Sequence, residues 1–226
     1  MVVVLFAITA IAALLVALVN DMTKDAIAAS QLAAKNAAKF SVVGTTPEEA
    51  TIARDTTRTI GDFDITVSTV VRAEDNSLIG YAVEAPSITK NGYADRITLM
   101  VGFVKEGNDV IVSSVEVLSQ KETPGLGANM MNEGNSLERS VVGKVAAELI
   151  FAVTKEGGSF DALTGSTISS RAYANAVETA YAGYLWAKGE LPAEQDAQSG
   201  ATTTTEGGEC NNQTEPEAQK GEVSNE

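Results

Sequence analysis

The chain is predicted to adopt an α/β fold of the α+β kind, an antiparallel β-meander with packed helices, preceded by one N-terminal transmembrane helix. Three observations carry this prediction. Val2 to Val19 reads VVVLFAITAIAALLVALV, eighteen residues without a charge. From Asp62 to Leu118, short apolar-alternating runs are separated by turn residues, the period-two signature of strands. Beyond them, two stretches repeat apolar residues every three or four positions, the signature of helices packed by one face.

In chain order, Val2 to Val19 is just long enough to cross a bilayer core at about 1.5 Å per residue. No small-x-small cleavage pattern follows before Asn20-Asp21, so residues 1–20 read as an uncleaved anchor and not a leader. Residues 21–60 read as a helical connector: Met22 to Phe40 is alanine-rich, with Ile27, Gln31, Leu32 and Lys35 at helical spacing, and Ser41 to Pro47 breaks it. Residues 61–189 are the expected globular domain. Its strands are read at Asp64–Val71, Leu78–Ala85, Arg96–Val104 and Val110–Leu118, joined by turn chemistry at Asn76-Ser77 and Glu106 to Asp109. Leu137 to Phe151 is expected to be helical, with Leu137, Val141, Val145 and Leu149 on one face. Ser169 to Lys188 is the second expected helix, its Tyr173, Val177, Tyr181 and Tyr184 forming a core stripe. Residues 190–226 read as an acidic, disordered tail.

Composition then limits the chemistry. Of the formal charge of −14, that tail holds nine acids and one lysine, and so carries −8. No Lys/Arg cluster is available for phosphate backbones, so nucleic acid is not an expected partner. The chain has no histidine, which excludes Ser-His-Asp and Cys-His nucleophiles and His-ligated zinc or haem. Its single cysteine, Cys210 in the tail, excludes an intrachain disulfide and a Cys-ligated iron–sulfur cluster within one chain. No metal site and no catalytic residue is expected, and any redox centre must be organic.

Three segments bear on that centre. The run Asp161-Ala-Leu-Thr164-Gly165-Ser166-Thr167-Ile-Ser169-Ser170 precedes a helix. Such a turn offers backbone N–H groups and a helix N-terminus to a phosphate, and hydroxyls that can bond to it. By itself it reads as an ordinary N-cap. Lys121-Glu122-Thr123-Pro124-Gly125-Leu126-Gly127 follows the last expected strand; it is either a plain Pro-Gly turn or a loop able to press its main chain and Leu126 against a flat ligand. Asn91-Gly92-Tyr93 is either a turn with a strand-edge tyrosine or an aromatic face beside a ring.

Together, and behind one anchor, Gly92-Tyr93, Glu122 to Gly127 and the Asp161-x-x-Thr-Gly-x-Thr run resemble the G-subunit family of Rnf electron-transport complexes. That family lies within the FMN-binding-domain family, as does the C subunit of the Na⁺-translocating NADH:quinone reductase. The resemblance covers about Val2 to Lys188. It implies covalent FMN, joined as a phosphoester to Thr167 by a separate flavin transferase that uses FAD, with Thr164, Gly165 and Ser166 as the recognition frame. Ser166 stands where the family motif has alanine. The resemblance further implies that Glu122, Thr123, Gly125, Leu126 and Gly127 border the isoalloxazine ring, with Tyr93 near it; Ser169 and Ser170 are read as hydroxyl donors to the phosphate.

The expected function is therefore a membrane-anchored electron-transfer flavoprotein subunit of an ion-translocating ferredoxin:NAD⁺ oxidoreductase. The expected setting is the cell (inner) membrane, single-pass, with the FMN domain extracytoplasmic and other membrane and iron–sulfur subunits as partners. The alternatives are the C subunit of a Na⁺-translocating quinone reductase and a non-redox, surface-anchored binding module.

Overall fold

The computed structural model of the chain describes residues 1–60, 63–88 and 97–189. The expected tail, with Cys210, lies outside them, as do Gly92 and Tyr93.

Helix α1 runs without interruption through Val2–Ser41. The apolar run passes directly into the alanine-rich stretch, and no Pro or Gly occurs before Gly44 to stop it. Anchor and connector helix are thus one rod. It is the one helix among the described residues long and apolar enough to cross a membrane.

The sheet has five antiparallel strands in sequential order: β1 (Ala50–Ile60), β2 (Phe63–Arg72), β3 (Leu78–Pro86), β4 (Ile97–Glu106) and β5 (Asp109–Gln120). The 21–60 stretch, expected as helical connector, therefore divides: its helix ends at Ser41 and its last eleven residues form β1. β1 pairs with β2 from Ala50↔Arg72 to Ile60↔Phe63. Its β-branched Thr51, Ile52, Thr56, Thr57 and Thr59 suit a strand. As an edge strand exposed over most of its length, it shows no apolar alternation to reveal it.

Both faces of β4 are covered, which explains its dense apolar run. Leu99, Val101 and Phe103 belong to the larger core, with Ile65 and Val67 of β2 and Val83 and Ala85 of β3. Helix α3 (Thr167–Lys188) closes this core with Ala172, Tyr173, Ala176, Val177, Ala180 and Tyr184. Tyr184 meets Tyr81 and Phe103 with ring centroids 5.2 Å away in each case, and Tyr173 meets Phe160 edge-on at 6.3 Å. The tyrosine stripe is core, as its spacing predicts.

On the other face sits the end of α1. Ala38, Val42 and Val43 pack with Ala50, Val70, Ala82 and Met100. Gly102 admits this approach, since a β-carbon there would lie 1.8 Å from the Val42 carbonyl oxygen. Ser113 Oγ donates to that same carbonyl. Lys35 pairs with Glu84, and Lys39, itself buried, reaches Asp55 on β1 at 2.9 Å.

The expected helix over Leu137 to Phe151 is replaced by α2 (Ser136–Val141) and a 3₁₀ turn, Ala146–Glu148. Between them the backbone joins the free edge of β5: Val112 N–H donates to Lys144 O at 3.0 Å and Gly143 N–H to Val112 O at 2.8 Å. Capturing these edge groups satisfies donors that a continuous helix would leave exposed. The four-residue apolar spacing still faces inward, with Leu137, Val141 and Leu149 in the core.

Candidate functional site

Two of the three sequence segments meet at one corner of the domain, at the start of α3. The chain enters through Leu163 to Gly165, where Gly165 takes φ +74°, a left-handed angle that suits glycine. Ser166 occupies the N-cap position, yet no side chain caps the helix. Ser170 N–H bonds to Ser166 O at 2.9 Å. The three N–H groups before it, on Thr167, Ile168 and Ser169, belong to the first turn, which an intrahelical ladder cannot satisfy. That end carries the positive pole of the helix dipole.

The hydroxyls around it divide by burial. Thr164 is exposed and Thr167, the first helical residue, is half-exposed. Ser166 is only 6% exposed, and its Oγ is buried without a hydrogen-bond partner. Ser169 and Ser170 are turned inward, in contrast to the expectation that they donate to a ligand. Ser170 Oγ donates to Ser166 O at 2.8 Å and accepts from Leu163 N–H at 3.0 Å. Ser169 Oγ donates to Glu122 Oε2 at 2.6 Å. Both shape the turn from within.

Glu122 to Gly127 forms the facing loop. Leu126 N–H donates to Thr123 O at 3.1 Å, closing a turn over Pro124-Gly125, and Asn129 Nδ2 holds Gly125 O at 3.1 Å. Thr123, Gly125 and Leu126 are exposed and Gly127 is buried. Leu126 leans on the other segment, for a β-carbon on Gly165 would lie 3.6 Å from Leu126 Cδ2. Gly127 lies against Ser169 and Glu122. Tyr93 lies outside the described residues.

Two residues beyond the sequence reading belong to this corner. Ile168 is 52% exposed beside Thr167, a second apolar side chain presented outward with Leu126. Arg171 stands four residues past Thr167, one turn along the same helix face, and its Nε donates to Glu156 Oε1 at 2.8 Å. The i, i+4 spacing is the signal that finds Arg171; nothing in composition singles out Ile168. At the Asp161 end of the motif, a polar hollow of about 470 Å³ is lined by Arg139, Lys144, Glu148, Ser159 and Asp161.

The corner therefore holds a hydroxyl at a helix start, unsatisfied backbone donors and a loop with exposed main chain and an apolar tip. It suits a ligand with a phosphate at one end and a flat, largely apolar body at the other.

Residues 92–182 match the family model of the FMN-binding domain. The chain is 39% identical over 104 residues to the G subunit of the ion-translocating oxidoreductase complex of Aliivibrio fischeri (strain MJ11), covering 45% of this chain and 47% of that one. It is 39% identical over 105 residues to the corresponding G subunit of Shewanella baltica (strain OS223), with coverage of 45% and 47%. A longer match, 28% identical over 184 residues, joins 77% of this chain to 85% of the G subunit of the Na(+)-translocating ferredoxin:NAD(+) oxidoreductase complex of Acetobacterium woodii. At the higher identities, the chain spans about half the length of the curated relatives it matches, 47% for the first two.

Proposed function

We propose, from the match of residues 92–182 to the family model of the FMN-binding domain, that the chain is a membrane-anchored electron-transfer subunit of an ion-translocating ferredoxin:NAD⁺ oxidoreductase, carrying FMN as a phosphoester on Thr167. The names of its relatives support the complex. Within it, residues 1–20 anchor the chain, the flavin unit lies in residues 61–189, and its partners are membrane and iron–sulfur subunits.

The observation that carries the attachment point is the contrast between adjacent hydroxyls. Thr167 is half-exposed at the first position of an uncapped helix, whereas Ser166 is buried. Of the two, Thr167 keeps the more accessible surface for a transferase to reach. A flavin transferase with FAD as donor would join the FMN phosphate to Thr167 Oγ, with AMP leaving as the pyrophosphate bond breaks and the threonine proton passing to the transferase. The first-turn N–H groups and the positive end of the α3 dipole would hold that phosphate. Leu126 and the exposed main chain of Thr123 and Gly125 border the ring. FMN exchanges electrons singly or in pairs; the protein orients and shields it, with no acid or base of its own. A covalent link also keeps the site filled on the extracytoplasmic side, where free FMN is too dilute to hold a reversible site by mass action.

Co-expression with a flavin transferase tests this. Intact mass and in-gel fluorescence after denaturation are expected to show one flavin on the wild type and on Ser166→Ala, and none on Thr167→Ala. An unmodified wild type, or a flavin that survives Thr167→Ala, would sink the assignment.

A further inference from the structure

We propose that Ser169 and Glu122 are positioning residues whose hydrogen bond, admitted by the missing side chain of Gly127, clamps the 122–127 loop to the first turn of α3 and fixes the stance of Thr167. The proposal rests on the reading of Thr167 as the flavin-bearing residue. Its basis is geometric. Ser169 is two residues past Thr167, about 200° around the helix, so it faces inward where Thr167 faces outward. Ser169 is 4% exposed and its Oγ lies 2.6 Å from Glu122 Oε2, across 47 residues of sequence.

Gly127 is the condition for that bond. A β-carbon there would sit 2.4 Å from Ser169 Oγ and 2.8 Å from Glu122 Oε2, crowding both donor and acceptor from the side. On the other side of Thr167, Leu126 rests against Gly165. The loop thus approaches the α3 turn at two points, one before Thr167 and one after it, and leaves the threonine partly exposed. The two motifs act as one unit: the residue that bears the phosphate and the loop that borders the ring are held at a set separation before any flavin arrives. Preorganisation of this kind spares the site an ordering cost on loading.

The test uses the full chain in detergent. In the flavin-free protein, Ser169→Ala and Glu122→Ala are each expected to raise amide hydrogen exchange tenfold or more at Leu126, Ala128 and Ser170, whose N–H groups are hydrogen-bonded within the loop and the α3 turn. The double variant should fall short of the sum of the singles, because both remove the Ser169–Glu122 bond. Glu122→Gln, whose amide oxygen still accepts from Ser169, should recover slow exchange, and Gly127→Ala should mimic the loss from the loop side. After flavin loading, Ser169→Ala and Glu122→Ala should lower flavin fluorescence anisotropy with global unfolding unchanged. Wild-type exchange in Ser169→Ala, or additive effects in the double variant, would overturn the clamp. A wild type that takes no flavin would instead overturn the Thr167 reading, and the exchange data would still decide the clamp.

Discussion

The two faces of the sheet are built from different materials. Toward α3 lies a broad core of large side chains, among them Phe103, Tyr173, Phe160 and Met130, each nearly or fully buried. Toward α1 the contact is small: three helix-end residues against alanine, valine, methionine and a bare Gly102, held by two ion pairs and one serine hydroxyl. The first face folds the domain and carries, at the start of α3, the corner proposed to hold the flavin. The second is a joint that fastens the finished domain to its membrane rod. Separate constructions let the joint bear load without the site's geometry depending on it.

Damage to the α3 face should be the most costly. Phe103→Ala removes a ring that meets both Tyr181 and Tyr184, and large-to-small changes of this kind cost about 3–5 kcal/mol. Urea unfolding should register that loss together with loss of flavin loading. Gly102→Ala should act on the other face alone. Its methyl collides with the Val42 carbonyl, so about 1–3 kcal/mol of strain falls on the joint. Spin-label distances between α1 and β3 should broaden while the flavin corner still loads. Joint failure that also abolished loading would break the distinction between the faces.

Acid should sharpen the contrast, because one carboxyl at each face titrates with opposite sign. Burial pushes Asp55 up, but the Ser68 hydroxyl and the Lys39 ammonium outweigh it and leave its pKa lowered. Its stabilising contribution is present above the unfolded value and lost as pH falls through the folded one. Glu178 on α3 is raised, chiefly by burial and despite the Asn175 amide. Its contribution is present below the unfolded pKa and lost as pH rises through the folded value. Acidification through the carboxylate range should therefore loosen the α1 joint, an effect kept small by the exposure of Asp55, and absent in Asp55→Asn. Glu178→Gln should stabilise the α3 face at neutral pH and remove that part of the profile.

The smallest effect expected is a gain. Ser166→Ala replaces a buried, unpartnered hydroxyl with a methyl group and should raise stability by about 1 kcal/mol, read as a higher midpoint with unchanged loading. A clear loss would mean the hydroxyl has a partner.

How much of this was legible in the sequence follows the same division. β2 and β5 announced themselves by alternation, and β4, covered on both faces, by a dense apolar run. β1 did not, because an edge with little burial need not alternate. The 137–151 stretch misled for the opposite reason: its apolar residues do face the core every fourth position, but Gly143 and its neighbours pair with β5 instead of continuing a helix. At the corner, the residue types were readable and resemblance supplied their roles. Which hydroxyls turn inward was not, since the Ser169 partner lies 47 residues away and the burial of Ser166 depends on packing.

The unbroken course of α1 makes it a ruler with a phase. At 1.5 Å and 100° per residue, deleting seven residues from its alanine-rich part would lower the domain by about 10 Å and turn it by only about 20°, leaving it facing nearly the same neighbour. Deleting two would lower it by about 3 Å and swing it by about 200°, turning the α3 corner to nearly the opposite side. If the rod sets direction as well as height, electron transfer in the assembled complex should follow the rotation and tolerate the descent.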